Sequence, residues 1–338
     1  MGLYDTKTML EAIENKKPVF TFIRDVFFGD VETIVTEKAE VDIKKGKRKM
    51  APFVAPRISG VVIEREGFKT DTITTPKIAP KRIITAEDLK KRTLGENVYS
   101  NRTPAERAMI MLSNDLIELD EAITRREEWM CTQVLLGNSI DLDLEGATQN
   151  IDFGFTNKVT LSTTKLWSAN TSKPLKDLTD WRKKIVKSSG KNPNICLMSD
   201  DVVDAFIDNP DIRELLDIQR LNVGAIEPSY QGDGITFVGK IPKLGIEIYS
   251  YTEFYTDEND DTQELIPSGT VILGSRNIGK RIYGAVTQKE KSGWATYEGA
   301  RVPKYTEDDK NEVDEIRITS RPLPTPYDLD SWLVAKVL

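Results

Sequence analysis

The sequence predicts an α+β fold built around one very long helix, and three observations carry that prediction. The stretch from Thr103 to Gly137 keeps helical periodicity without interruption and is punctuated at both ends. Residues 173–280 alternate short helix and short strand patterns over a stretch of ordinary domain size. Between residues 55 and 85 lies a polar, β-favouring excursion with too few large apolar residues to build a core of its own, and an isolated hairpin is marginal in water.

Taken in chain order, residues 8–16 read as a short amphipathic helix with Met9, Leu10 and Ile13. Residues 17–43 read as strands or an extended arm, with Phe20, Phe22, Phe27 and Phe28 as apolar anchors. A compact basic run follows, Lys44, Lys45, Gly46, Lys47, Arg48 and Lys49. It suits an electrostatic contact between chains or with DNA, or a solvated loop, and it lacks the interleaved aromatic residues on which single strands stack. The excursion is read as two strands turning near Gly67, with Arg65, Glu66, Phe68 and Lys69 at its tip. Such a segment needs a surface to lie on, and a neighbouring subunit can supply one.

Thr103-Pro104-Ala105-Glu106 is a capping box with proline at the first helical position, and Gly137 is placed to stop the helix. Ala105, Ala108, Met109, Leu112, Leu116, Leu119, Ile123, Met130 and Val134 recur on one face. At 1.5 Å per residue the helix spans roughly 50 Å, long enough to act as a structural spine. Residues 138–170 read as strands and loops. Helices are expected over Pro174–Ser189, after Ser199, and around Ile212, Leu215 and Leu216. Strands are expected at Ile195–Met198, Ile235–Gly239, Leu244–Tyr251 and Thr270–Leu273. The remainder, residues 281–338, is mostly strand-like, with strict alternation at Glu315–Ser320 and an extended stretch at Pro322, Pro324 and Pro326.

Composition narrows the chemistry. The 338 residues include 47 basic and 54 acidic side chains, a net charge of −7, which argues against a protein whose main task is gripping phosphates. Without histidine there can be no Ser-His-Asp triad and no His-ligated metal. Two cysteines, Cys131 and Cys196, are too few for a zinc cluster or a disulfide scaffold. No signal peptide or membrane-spanning run is present, and no cofactor is expected. Gly274-Ser275-Arg276-Asn277-Ile278-Gly279-Lys280 matches the G-x-x-x-x-G-K core of a phosphate loop. Arg281, however, stands where Ser or Thr would hold magnesium, and residues 281–286 alternate like a strand where a helix should open. A glycine-punctuated loop between two strands is the better reading; a P-loop nucleotide-binding enzyme is the alternative. The acidic runs Glu253–Glu264 and Glu307–Glu315 lack the spacing of a calcium loop and read as solvated loops.

The ordered set of parts resembles the major capsid proteins of tailed bacteriophages, and most closely the lambda-type E-protein family, over nearly the whole chain. The residues that carry the resemblance are Phe27-Phe28, Ala55-Pro56-Arg57-Ile58-Ser59-Gly60, Pro267 through Gly274, Arg281-Ile282-Tyr283-Gly284, and Ser320-Arg321-Pro322-Leu323-Pro324 leading to Leu333-Val334. The resemblance implies the tailed-phage major-capsid fold. Residues 1–40 would form an N-terminal arm and 41–92 the extended E-loop. Residues 93–172, with a spine helix at 103–136, and the returning strands 281–338 would form the peripheral domain. Residues 173–280 would form the axial domain.

It further implies a non-enzymatic shell subunit, assembled in the host cytoplasm as hexamers and pentamers into an icosahedral virion shell around double-stranded DNA. Implied partners are the chain itself, a portal protein, a decoration protein in some shells, and DNA through weak non-specific contact. The E-loop begins near residue 50, which leaves no room for a preceding assembly-directing segment, so scaffolding is expected from a separate protein. An encapsulin-like nanocompartment shell is the rival reading. Candidate assembly contacts are Phe27, Phe28, Lys44, Lys45, Lys47, Arg48, Lys49, Arg65, Glu66, Phe68 and Lys69.

Overall fold

In a computed structural model the described residues are 21–44, 50, 53, 68–90, 103–144, 147–169, 171–217, 229–232, 234–257, 260–290, 293–308, 310 and 313–338. The expected helix at 8–16, Phe20, and the turn near Gly67 lie outside them.

The spine helix spans Pro104–Leu136, and its ends are built as the sequence expects. Thr103 Oγ1 accepts from the Glu106 amide at 3.3 Å, while Glu106 Oε2 accepts from the Thr103 amide at 2.8 Å. Gly137 sits at φ 68°, and the amides of Gly137 and Asn138 return to the carbonyls of Val134 and Gln133. That pairing satisfies carbonyls a helix end otherwise leaves without partners. A Cβ at Gly137 would stand 2.1 Å from the Phe155 ring, so this position needs glycine on two counts. The expected apolar face holds from Leu112 onward; Ala105 and Met109 are exposed instead. Those first turns precede the stretch that packs on Ile316 and Ile318, and there Arg107 donates to the Leu89 carbonyl at 3.3 Å.

The two halves of the helix serve different cores. Leu112, Leu116, Leu119 and Ile123 pack on Ile316 and Ile318 of a three-stranded antiparallel sheet. That sheet is ordered Val302–Asp308, Val313–Thr319, Lys81–Thr85. Met130, Val134 and Leu135 enter the main core with Ile195, Leu197, Ile272 and Trp332. Trp332 donates its indole N–H to the Leu135 carbonyl at 2.7 Å and stacks on Phe155.

The main sheet has seven strands, ordered Lys158–Thr160, Leu333–Lys336, Thr270–Gly274, Ile195–Met198, Ile246–Tyr251, Ile235–Ile241, Ser229–Gly232. Alternation sorts its side chains between two buried faces. Ile195, Leu197 and Ile272 face the spine. Cys196, Met198, Val271, Leu273, Leu333 and Ala335 face the helices Pro174–Ser188 and Asp200–Asp208 through Leu178, Trp181, Val202 and Phe206. The sheet therefore draws in strands from outside residues 173–280. Ser199 takes the N-cap position of Asp200–Asp208 but makes no cap bond to the helix; its hydroxyl accepts the Thr270 amide at 3.3 Å instead.

Residues 22–27 form a helix, not the strand or extended arm expected from the sequence. The strand Asp30–Thr33 follows and pairs in parallel with Gly279–Tyr283, whose other edge is covered by Pro322–Pro326. Prolines at every second residue of that outer strand remove amide donors, which is tolerated at a sheet edge. Lys38–Lys44 then pairs antiparallel with Phe68–Thr74, from Lys38 opposite Thr74 to Lys44 opposite Phe68. The described partner of the strand at 68–74 is thus the strand before the basic run, so residues 38–44 and 68–74 are the two stems of the excursion.

Candidate assembly surfaces

The root of the arm is held from a distance. Phe22, Ile23, Phe27 and Phe28 are buried in the main core. The helix they belong to has no local side-chain cap. Its cap comes from Glu128 of the spine, whose Oε1 and Oε2 accept the amides of Ile23 and Arg24, each at 2.8 Å. Tyr251 adds its hydroxyl to Oε1 at 2.8 Å. Burial pushes the Glu128 carboxyl up from its ordinary range, and these three donors pull it part of the way back. Next to it, Glu127 receives Arg24 on one oxygen at 3.1 Å and Arg301 on the other at 2.5 Å. Arg301 continues to Asp120 at 2.7 Å and Thr124 at 3.2 Å. One buried ionic chain therefore joins arm, spine and the strand that starts at Val302. Sequence reading missed it. The signal was a pair of glutamates at 127 and 128, at the spacing where the run from Ile123 to Met130 calls for an apolar residue.

The near-phosphate-loop is a junction between two strands, as the sequence reading favoured. Its glycines leave room for the arm. A Cβ on Gly279 would lie 2.7 Å from the Phe28 ring, and one on Gly274 would press on Trp332 at 3.1 Å and touch the Phe27 ring at 3.4 Å. The Asn277 amide donates to the Val26 carbonyl at 2.9 Å, and Lys280 pairs with Glu32. The residues that suggested nucleotide binding therefore hold the arm. Both cysteines are buried free thiols, with burial pushing each up, which makes them poor nucleophiles.

Of the candidate contacts, Phe27 and Phe28 are wholly buried in their own chain and offer no surface to a neighbour. Lys44, Phe68 and Lys69 end the paired stems, so the structure brings these three together at one end of a two-stranded ribbon. Lys45, Lys47, Arg48, Lys49, Arg65 and Glu66 lie outside the described residues. On the excursion beyond the stems, Met50 is 90% and Phe53 104% exposed. Other large side chains facing solvent are Trp294, Phe254, Val35 and Ile83. Phe254 stands on a small hairpin, Phe254–Thr256 with Thr262–Glu264, between two concavities. One, of about 670 Å³, is lined by Arg125, Arg126, Trp129 and Tyr255. The other, of about 320 Å³, is lined by Asp200, Asp201, Tyr251, Glu253, Glu264 and Ile266. Among the described residues no helix is long and apolar enough to cross a membrane.

A spine helix under a buried mixed sheet, with a paired two-stranded stem and a docked arm, is the architecture of phage capsid subunits. A crystal structure of a prophage capsid protein from Escherichia coli CFT073 superposes with a TM-score of 0.73 at 17% identity, covering 99% of each chain. A phage-related protein from Bordetella bronchiseptica RB50 gives 0.58 at 15% identity, over 98% of this chain and 96% of that one. Residues 5–337 match the family described as phage major capsid protein E, and the chain belongs to that family. It is 25% identical over 342 residues to the major capsid protein of Escherichia phage lambda, covering 98% of each. It is 24% identical over 344 residues to that of Enterobacteria phage P21, covering all of both. The chain is accordingly a structural component of the phage head, and the family match decides against the encapsulin reading.

Proposed function

We propose that this chain assembles as hexamers and pentamers into a closed icosahedral shell around double-stranded DNA, without catalytic activity of its own. The observation that carries this reading is the excursion. Among the described residues its stems pair only with each other, and beyond them Met50 and Phe53 face solvent almost completely. Exposed side chains of that size on a segment without a core call for a second surface, and many identical subunits provide it by head-to-tail contacts that close with symmetry. Lys44, Phe68 and Lys69 stand where the ribbon leaves its own subunit, and with Lys45, Lys47, Arg48, Lys49, Arg65 and Glu66 they form the proposed contact segment. Phe27 and Phe28 serve that contact indirectly, by fixing the root of the arm. The acidic balance keeps contact with DNA weak. A separate scaffolding protein and a portal protein complete the proposed set of partners.

The test is a variant in which residues 46–66 are replaced by a short Gly-Ser linker. It should fold, with wild-type circular dichroism, and yield no shells by electron microscopy under conditions where wild-type chains form them. Shells of wild-type yield from the shortened chain would refute the role given to the excursion.

A further inference from the structure

Among the described residues the hairpin Val286–Glu290 with Gly293–Tyr297 pairs only with itself, and it shows two unlike faces. Val286 and Gln288 point inward and are buried. Thr287 lies opposite Thr296 and Lys289 opposite Trp294 on the outward face. Trp294 is 75% exposed, an unusual state for the side chain with the largest apolar surface. The smaller concavity beside Phe254 is its counterpart in charge. Phe254 supplies its exposed apolar surface, with Tyr251 and Ile266 buried in the wall behind it, and its rim carries Asp200, Asp201, Glu253 and Glu264, with no basic side chain among the described lining residues. At about 320 Å³ it has room for an indole ring. Phe254 itself is 49% exposed.

We propose that the Lys289–Trp294 face of one subunit seats in the Phe254 groove of a neighbouring copy, the indole on Phe254 and the ammonium against the carboxylate rim. Rim and ammonium are complementary in charge, which fixes the register of such a contact. Knob and groove are different surfaces of one chain, so each copy gives one and receives one, the arrangement that closes into rings. The contact is much smaller than the roughly 800 Å² per partner of a stable interface. It therefore acts as a central anchor within the shell contact and does not pair free subunits. This inference rests on the shell reading above.

The test compares wild-type free subunits with purified wild-type shells by hydroxyl-radical footprinting and mass spectrometry. Modification of Trp294 and Phe254 should fall together, by roughly tenfold at Trp294, as a hot-spot side chain leaves water. In a second experiment Trp294 is replaced by p-benzoylphenylalanine and the assembled shells are irradiated. Cross-links should join position 294 to peptides of another copy carrying Tyr251–Phe254 or Glu264–Ser268. Shells in which Trp294 reacts as it does in the free subunit, or cross-links only to other surfaces, would overturn the knob-and-groove contact and leave the shell reading standing. Failure of the wild-type chain to form shells under any condition would remove both.

Discussion

Replacing Glu128 by alanine should release the arm while leaving the rest of the subunit folded. Burying Phe22, Ile23, Phe27 and Phe28 stabilises the docked arm by roughly 6–12 kcal/mol. Ordering residues 21–28 costs about 12 kcal/mol, at about 1.5 kcal/mol per residue. These terms nearly cancel, so the polar anchor decides the balance. Glu128 accepts the amides of Ile23 and Arg24 and the Tyr251 hydroxyl. Leaving those three donors buried without partners costs about 1–2 kcal/mol each, or about 3–6 kcal/mol in all. Native-state hydrogen exchange measures the result directly. Amides of residues 23–28 should exchange about a hundredfold to ten-thousandfold faster in E128A, while the sheet around Ile195–Met198 keeps its wild-type rates. E128Q retains one carbonyl acceptor and should fall between the two. Wild-type exchange at Ile23 and Arg24 in E128A would refute the argument, because it would show the apolar contacts alone hold the arm.

Four further outcomes follow from the same geometry. Arg301→Ala leaves Glu127 and Asp120 without their shared buried partner and should lower the unfolding free energy by about 3–5 kcal/mol in urea titrations. Gly137→Ala forces a side chain into a left-handed turn and against Phe155, with an expected loss of about 1–3 kcal/mol. Lys280→Ala removes only a partly exposed pair with Glu32, worth about 0–1 kcal/mol, and should leave calorimetric titration with ATP flat, as in the wild type. Asp201 carries a pH signature: burial pushes its carboxyl up, but hydrogen bonds from Ser199, Ser268 and the amides of Gly269 and Val202 hold it below the ordinary 3.8. Its folded-state value lies below its unfolded one, so its contribution is present above pH 3.8 and is lost as pH falls through the folded value. The melting-temperature gap between wild type and D201N should be full at neutral pH and close in strong acid.

Much of this was legible in local sequence because the signals were local. The capping box at Thr103 and the stop at Gly137 bracket the spine because each is completed within a few residues. The strand at Thr270–Gly274 and the loop after it were readable from an apolar run and its glycines. The arm helix was not readable, because its cap is supplied by Glu128, 105 positions from the Ile23 amide it binds. Nor could local pattern place Leu333–Lys336 between Lys158–Thr160 and Thr270–Gly274, since strand order is set by packing across the whole chain. Assembly contacts were the least legible. An apolar residue such as Phe28 and one such as Phe53 look alike in sequence, and only the fold shows that the first is buried in its own core and the second is bare.

The most direct test of the shell reading is to express the chain alone and with its neighbouring open reading frames, then examine it by negative-stain electron microscopy with light scattering. Rings of five or six subunits, or closed icosahedral shells, are the predicted result. A uniform monomer under every one of those conditions would contradict it.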